Sequence, residues 1–196
     1  MSSYAIPNVI ARDSRGERVM DVYSHLLTER IISLGIPVDA GVANVLIAQL
    51  LYLESDNPEA DIHVTINCSG GDPSAMLAIY DTMQYIRPDL STTCVGQAVG
   101  VGAMLLAAGA PGKRTALPHS RVVLHQPATQ GQGAIPELIL QADEMVRIRA
   151  DMEAILADHT GQSAARLRAD TDHDRVFSAI QARDYGLVDQ VLARRT

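Results

Sequence analysis

The sequence predicts an α/β fold with parallel strand–helix repeats, and three observations carry that prediction. Short β-branched runs alternate with helix-forming runs, as in Ile62-His-Val-Thr-Ile66 followed by Pro73 to Ile86. Glycine-containing loops join strand ends to helix starts at Asn67-Cys-Ser-Gly-Gly71 and around Gly96 to Gly102. One helical run, Pro136 to His159, is much longer than the others. Strands separated by helices pair in parallel through right-handed crossovers.

In chain order, residues 1–20 are polar and irregular and read as a flexible N-terminal arm or hairpin, and residues 21–196 read as a single domain. Asp21 to Glu29 reads as a short helix and Arg30 to Leu34 as a strand. Asp39 caps a helix from Ala40 to Leu53, whose apolar residues Val42, Val45, Leu46, Leu50 and Leu53 fall near helical spacing. Asp56-Asn-Pro58 stops it. Ile62 to Ile66 alternates apolar and polar, as a half-buried strand does. Pro73 suits a first helical turn, and Pro88 lies just beyond the end of that helix.

Ser91 to Val95 is a strand leading into Gly96 to Leu106, where small and aliphatic residues form a strand–turn–helix elbow. Gly109 to Arg114 reads as a turn and Arg121 to Leu124 as a strand. Thr129 to Gly133 lacks a helical period and reads as an extended arm. The long helix stops at Gly161, and Ser163 starts a short one. Ser178-Ala-Ile-Gln181 has capping-box form and starts a helix ending at Gly186. Val188 to Leu192 closes as a strand or turn.

Bulk properties narrow the function. The chain has 196 residues, 47% hydrophobic and 20% charged, which suits one soluble domain with its own core. The net charge of −7 argues against nucleic acid, because phosphate binding needs a positive patch. No run of eighteen apolar residues suggests a membrane span. No signal-peptide pattern stands at the N-terminus, and Cys68 and Cys94 have no framework spacing, so a reduced cytoplasmic protein is expected. The scarcity of aromatics (one Phe, no Trp) makes the core aliphatic.

Candidate chemistry gathers at the elbow. A nucleophile elbow is a sharp strand-to-helix turn that projects one side chain over the sheet. Gly100 stands where that side chain would project. Gly70-Gly71 could present backbone N–H groups to an oxyanion, though such pairs are commonly plain turns. His125 ends a strand, a place where histidine is commonly structural. Asp174 lies in the charge-rich run Asp170-Thr-Asp-His-Asp-Arg175, which taken alone reads as solvated surface. Cys68 has no histidine near it in sequence, and the histidines have no metal-ligand spacing. Singly, each bland reading wins. In order, small-residue elbow, histidine and aspartate, with a Gly-Gly loop upstream, have the arrangement of a serine hydrolase without its serine.

From about Asp21 to Val191 the chain resembles the ClpP subunits of the ATP-dependent Clp protease. The resemblance is carried by Thr28-Glu-Arg-Ile-Ile32, Gly70-Gly71, Ala78-Ile-Tyr-Asp-Thr-Met-Gln-Tyr-Ile86, Val95-Gly-Gln-Ala98, Leu105-Leu-Ala-Ala-Gly109, Ala116-Leu-Pro118, His125-Gln-Pro127, His159-Thr-Gly-Gln162 and Tyr185-Gly-Leu187. It implies a crotonase-like fold with a long handle helix, and two stacked seven-membered rings enclosing a chamber. It also implies an AAA+ unfoldase that feeds in unfolded chains, and no cofactor or metal. His125 and Asp174 match the family triad, and the N–H groups of Gly71 and Val101 match its oxyanion hole. Gly100 falls at the serine, between Val99 and Val101, which also depart from the family's neighbours.

The same match shows other departures. The outer face that would receive the unfoldase carries His63 and Thr65 where aromatics are usual, with Tyr85, Leu117 and Leu192 keeping other parts of that surface. His173 stands at a position of contact between rings. Cys68 replaces a serine, and Asp72-Pro73 is unusual after the glycine pair. Losing a triad serine lowers turnover by about six orders of magnitude, with about three to four orders over water remaining.

The expectation is therefore a non-catalytic, ring-forming or regulatory subunit assembled with ClpP paralogues. Two rivals stay open. One is a peptidase with residual activity or another nucleophile, and the other is an assembly that captures peptide-like ligands without turnover.

Overall fold

A computed structural model of the chain describes residues 5–13, 16–128 and 132–194. It opens on an antiparallel ribbon of β1 (Asn8–Asp13) and β2 (Gly16–Asp21), in register from Asn8 opposite Asp21 to Asp13 opposite Gly16. Residues 1–4 and 14–15 of the expected arm lie outside the described residues. Asp21 then caps α1 (Val22–Thr28), its carboxylate accepting from the N–H groups of Tyr23 and Ser24.

The main sheet has seven strands, with β3 (Ile31–Leu34), β4 (Ile62–Cys68), β5 (Leu90–Val99), β6 (Arg114–Ala116) and β9 (Gln190–Val191) side by side in that order. These pairs are parallel, as the strand–helix alternation requires. The crossovers are α2 (Ala40–Asp56), α3 (Pro73–Tyr85) and α4 (Val101–Ala107). β4 shows why its sequence forms a strand: Ile62, Val64, Ile66 and Cys68 are buried while His63 and Asn67 face out.

β5 is the strand that positions the site. It pairs with β6 through Thr92–Cys94, then with β7 (Arg121–Leu124) through Gln97–Val99. Between those stretches the register against β4 slips: Ile66 faces Cys94 but Cys68 faces Ala98. Such a bulge bends a strand and re-aims its remaining residues. It also explains why the strand runs on to Val99 rather than ending at Val95. α4 comes next, with all 7 of its residues buried, which is why its sequence is small and aliphatic throughout.

The expectation of parallel pairing needs one correction. β7 pairs antiparallel with β8 (Arg175–Ser178), a strand that succeeds the charge-rich run and has too short a pattern to announce itself. β6 is shorter still and begins at Arg114, the last residue of the stretch expected as a turn. The long helix α5 (Ile135–Thr160) ends at Gly161 in the left-handed conformation, and α6 (Ala164–Asp170) and α7 (Ala179–Tyr185) start after their serine caps. Residues 129–131 of the expected arm lie outside the described residues. Ile62, Ile66, Met76, Met104, Leu106 and Leu187 are among the largest fully buried side chains. The single Phe, Phe177, packs 4.8 Å from the Tyr185 ring.

Candidate active site

β5 ends at Val99 and α4 starts at Val101, so Gly100 takes the whole turn with φ 52° and ψ −107°. A side chain is strained at such a φ, and the strain is the signature of a nucleophile elbow. The Gly100 N–H donates to the Val123 carbonyl at 2.9 Å, tying the elbow to β7. Gly102 brings α4 against the end of β4, where a Cβ would stand 2.9 Å from that of Cys68.

The Gly70–Gly71 loop leaves that same end of β4. Gly71 has φ +147° and makes a lone parallel bridge with Val38. The Val38 N–H donates to the Gly70 carbonyl at 2.9 Å, and the Asp72 N–H donates to the Val38 carbonyl at 2.8 Å. A Cβ on Gly71 would collide with the Val38 main chain. Among the described residues, neither the Gly71 N–H nor the Val101 N–H has an acceptor. Two unpaired donors on adjoining segments are what an oxyanion requires.

His125 comes directly after β7. Its Nδ1 donates to the Gln126 carbonyl at 2.9 Å, which leaves Nε2 as the ring's acceptor. That Nε2 lies 2.5 Å from where a Cβ on Gly100 would be. The imidazole therefore sits in the volume a nucleophilic side chain would occupy. The register pairing Leu124 with Arg175 makes His125 and Asp174 the next cross-strand position. Asp174 is exposed, however, and among the described residues its carboxylate makes no hydrogen bond or ion pair.

Gln126 is held in place from several sides. Its N–H donates to the Thr171 carbonyl at 2.9 Å, and its side-chain carbonyl accepts from Arg149 on α5 at 2.7 Å. Arg149 in turn pairs with the buried Glu153, which also binds Arg168. Burial would raise the Glu153 pKa, but the hydrogen bonds from Arg168 and Arg149 outweigh it and hold the carboxyl below its ordinary range. The partner of His125 could not be read from the sequence, because it is a main-chain oxygen fixed by a tertiary clamp.

Neither cysteine offers a replacement nucleophile. Cys68 is fully buried, donates to the Gly70 carbonyl at 3.2 Å, and has its thiol pKa pushed up by that burial. Burial pushes Cys94 up to about 11. A nucleophilic cysteine needs the opposite shift and some exposure.

A cleft of about 680 Å³ opens beside Gly71, between the start of α3 and the face of α5. Gln141, Glu144, Met145 and Ile148 line its α5 wall. Their spacing of three, four and seven puts them on one helical face, a signal the sequence held. On the outer side of the sheet, His63, Thr65, Leu117 and Leu192 line a pocket of about 400 Å³ with Ile31 and Val95. Tyr85, grouped with them on sequence grounds, stands outside that pocket and is 81% exposed. His173 is exposed beside Asp174.

An elbow at the end of a central parallel strand, two N–H groups unpaired among the described residues and a histidine over the turn share the geometry of acyl-transfer sites. At Gly100 that frame presents no nucleophile. Residues 14–195 match the model of the Clp protease family, and the chain belongs to that family. It is 64% identical over 196 residues to the ATP-dependent Clp protease proteolytic subunit 1 of Nocardia farcinica, covering 100% of both chains. It is 55% identical to proteolytic subunit 4 of Rhodococcus jostii, over 98% of this chain and 100% of that one. Proteolytic subunit 2 of Streptomyces avermitilis is likewise 55% identical, over 100% of this chain and 98% of its own.

Proposed function

We propose that this chain is a ClpP-family proteolytic subunit that holds peptide without cutting it. It contributes structure and binding to a barrel of two stacked seven-membered rings built with ClpP paralogues. The observation that carries the reading is the pair Gly100 and His125. The elbow keeps the strained turn of a nucleophile, yet the residue there has no side chain and the imidazole fills the space. A hydroxyl that accepts the acyl group and gives its proton to histidine is the step this frame lacks.

Among the described residues the Gly71 and Val101 N–H groups are unpaired, which supports a retained capacity to hold a peptide carbonyl. Exposed apolar side chains support assembly. Ile36, Val45 and Tyr52 are 57%, 58% and 56% exposed, and Leu140 and Val146 on α5 are 69% and 68% exposed. Large apolar side chains left this exposed are candidates for an interaction face. In the barrel an AAA+ unfoldase would deliver unfolded chains, and the pocket lined by His63, Thr65, Leu117 and Leu192 is where this subunit would meet it. The replacement of aromatic anchors there weakens that docking by more than about 1 kcal/mol per lost anchor. His173 is assigned to the contact between rings.

The test is co-purification of the tagged chain with a catalytic ClpP paralogue, then cleavage of a fluorogenic peptide by the chain alone. The expected result is a mixed barrel, and a background cleavage rate that His125→Ala leaves unchanged. A chain that never associates with a paralogue, or one whose own cleavage depends on His125, overturns the proposal.

A further inference from the structure

We infer that the cleft beside Gly71 selects peptide segments carrying a lysine or arginine next to the carbonyl that the two N–H groups hold, and that Asp72 makes the selection. The inference rests on the peptide-holding reading above. It begins from the charges on the cleft walls. Among the described residues lining the cleft, only Asp72 and Glu144 are ionisable, and none is basic. Glu144 is committed: its two oxygens accept from Arg147 at 2.9 and 2.5 Å. Asp72 is committed on one side only. Its Oδ1 caps α3, accepting from the Ser74 and Ala75 N–H groups at 2.6 and 3.1 Å. Its Oδ2 has no partner among the described residues.

Position makes that oxygen matter. Asp72 is the next residue after Gly71, and successive Cα atoms along a chain are about 3.8 Å apart. Gly71 and Asp72 both line the cleft, so the side chain beside a carbonyl held at the Gly71 N–H enters space that the Asp72 carboxylate borders. The opposite wall mixes Gln141 and Glu144 with apolar Leu140, Met145 and Ile148, and Pro73 stands beside Asp72. A lysine or arginine suits both surfaces at once, because its methylene stem covers apolar wall while its charged head reaches the carboxylate. The positive end of the α3 dipole offsets part of the Asp72 charge, so the preference is moderate rather than absolute.

Fluorescence anisotropy with three matched apolar peptides, identical but for a central Lys, Gln or Glu, tests this on the full-length assembled protein. The wild type is expected to bind the Lys peptide about three- to five-fold more tightly than the Gln peptide, the range of a single solvent-accessible ion pair. The Glu peptide is expected to bind more weakly than either, and high salt to compress the differences. Asp72→Asn keeps the helix cap, since Asn caps as well as Asp, but removes the charge. It should bind all three peptides alike. Equal affinities of the wild type for the three peptides would sink the charge selection while leaving peptide holding intact. Asp72→Asn retaining the Lys preference would assign the selection to another residue and overturn the inference. Failure of wild type and variant to bind any peptide would overturn the peptide-holding reading and this inference together.

Discussion

The Nε2 of His125 lies 2.5 Å from the point where a Cβ on Gly100 would stand. Any side chain at 100 must push the imidazole away, and it must also accept φ 52°. Gly100→Ala is therefore expected to lose about 1–3 kcal/mol of stability, the usual cost of forcing a residue into such a conformation. The collision and the backbone strain are separable. In a double-mutant cycle, His125→Ala should recover part of the loss and leave the strain. Urea unfolding measures it, and a Gly100→Ala variant as stable as wild type would mean the ring does not occupy this volume.

Gly100→Ser asks the complementary question. The serine would move the ring from its seat and place a hydroxyl beside Nε2, with the Gly71 and Val101 N–H groups already unpaired among the described residues. Peptidase activity in the assembled variant is expected to rise above the wild-type background by at least about a hundred-fold, since a triad serine accounts for about six orders in related chemistry. Absence of any gain would show that the exposed Asp174 and the Gln126-bound His125 no longer form a relay.

Much of this site was legible in the sequence, for a reason that particular residues illustrate. The order Gly70-Gly71, Gly100, His125 and Asp174 is a chain-order property, and the structure sets the His125 ring against Gly100. The antiparallel register of β7 and β8 ends at Leu124 opposite Arg175, one residue short of His125 and Asp174. The features hidden from the sequence depend on tertiary geometry. The Gln126 carbonyl binds His125 because Arg149, twenty-three positions away, holds Gln126. β6 and β8 are 3 and 4 residues long, too short for a period to appear. Tyr85 belongs with His63 by family match alone; α3 ends with it outside that pocket.

The clamp behind Gln126 depends on a buried carboxylate. The Glu153 side chain is 6% exposed, and it binds Arg149 at 3.0 Å and Arg168 at 2.6 Å. Leaving a buried charge unpaired costs about 3–5 kcal/mol, whereas replacing the charge by an apolar group of similar volume is often neutral. Arg149→Leu/Arg168→Leu is thus expected to be destabilised by about that amount. Glu153→Leu should be much milder, because both arginines keep a path to solvent. Chemical denaturation ranks the variants, and a Glu153→Leu loss equal to that of the double variant would contradict the account.

Acid should weaken the fold through several groups acting in the same direction, His159 and Glu153 among them. His159 has its pKa lowered from 6.5, by burial first and then by the nearby Arg114 charge. Its Nε2 also lies 3.2 Å from the Tyr80 hydroxyl. Because the folded protein binds that proton less readily than the unfolded chain, the stability His159 contributes is complete above pH 6.5. It is lost as the pH falls below 6.5 toward the depressed folded value. Glu153 has a folded pKa below 4.5, so its contribution is present above 4.5 and is lost on further acidification. The melting temperature should therefore fall in two stages on titration from neutral pH. His159→Gln should remove the slope in the upper window and leave the lower one. Glu153→Gln should make the slope in the lower window shallower, a window Asp189 shares, and leave the upper one. A profile that is flat between pH 6.5 and 4.5 in the wild type would show that His159 protonates as freely in the folded protein as in the unfolded chain.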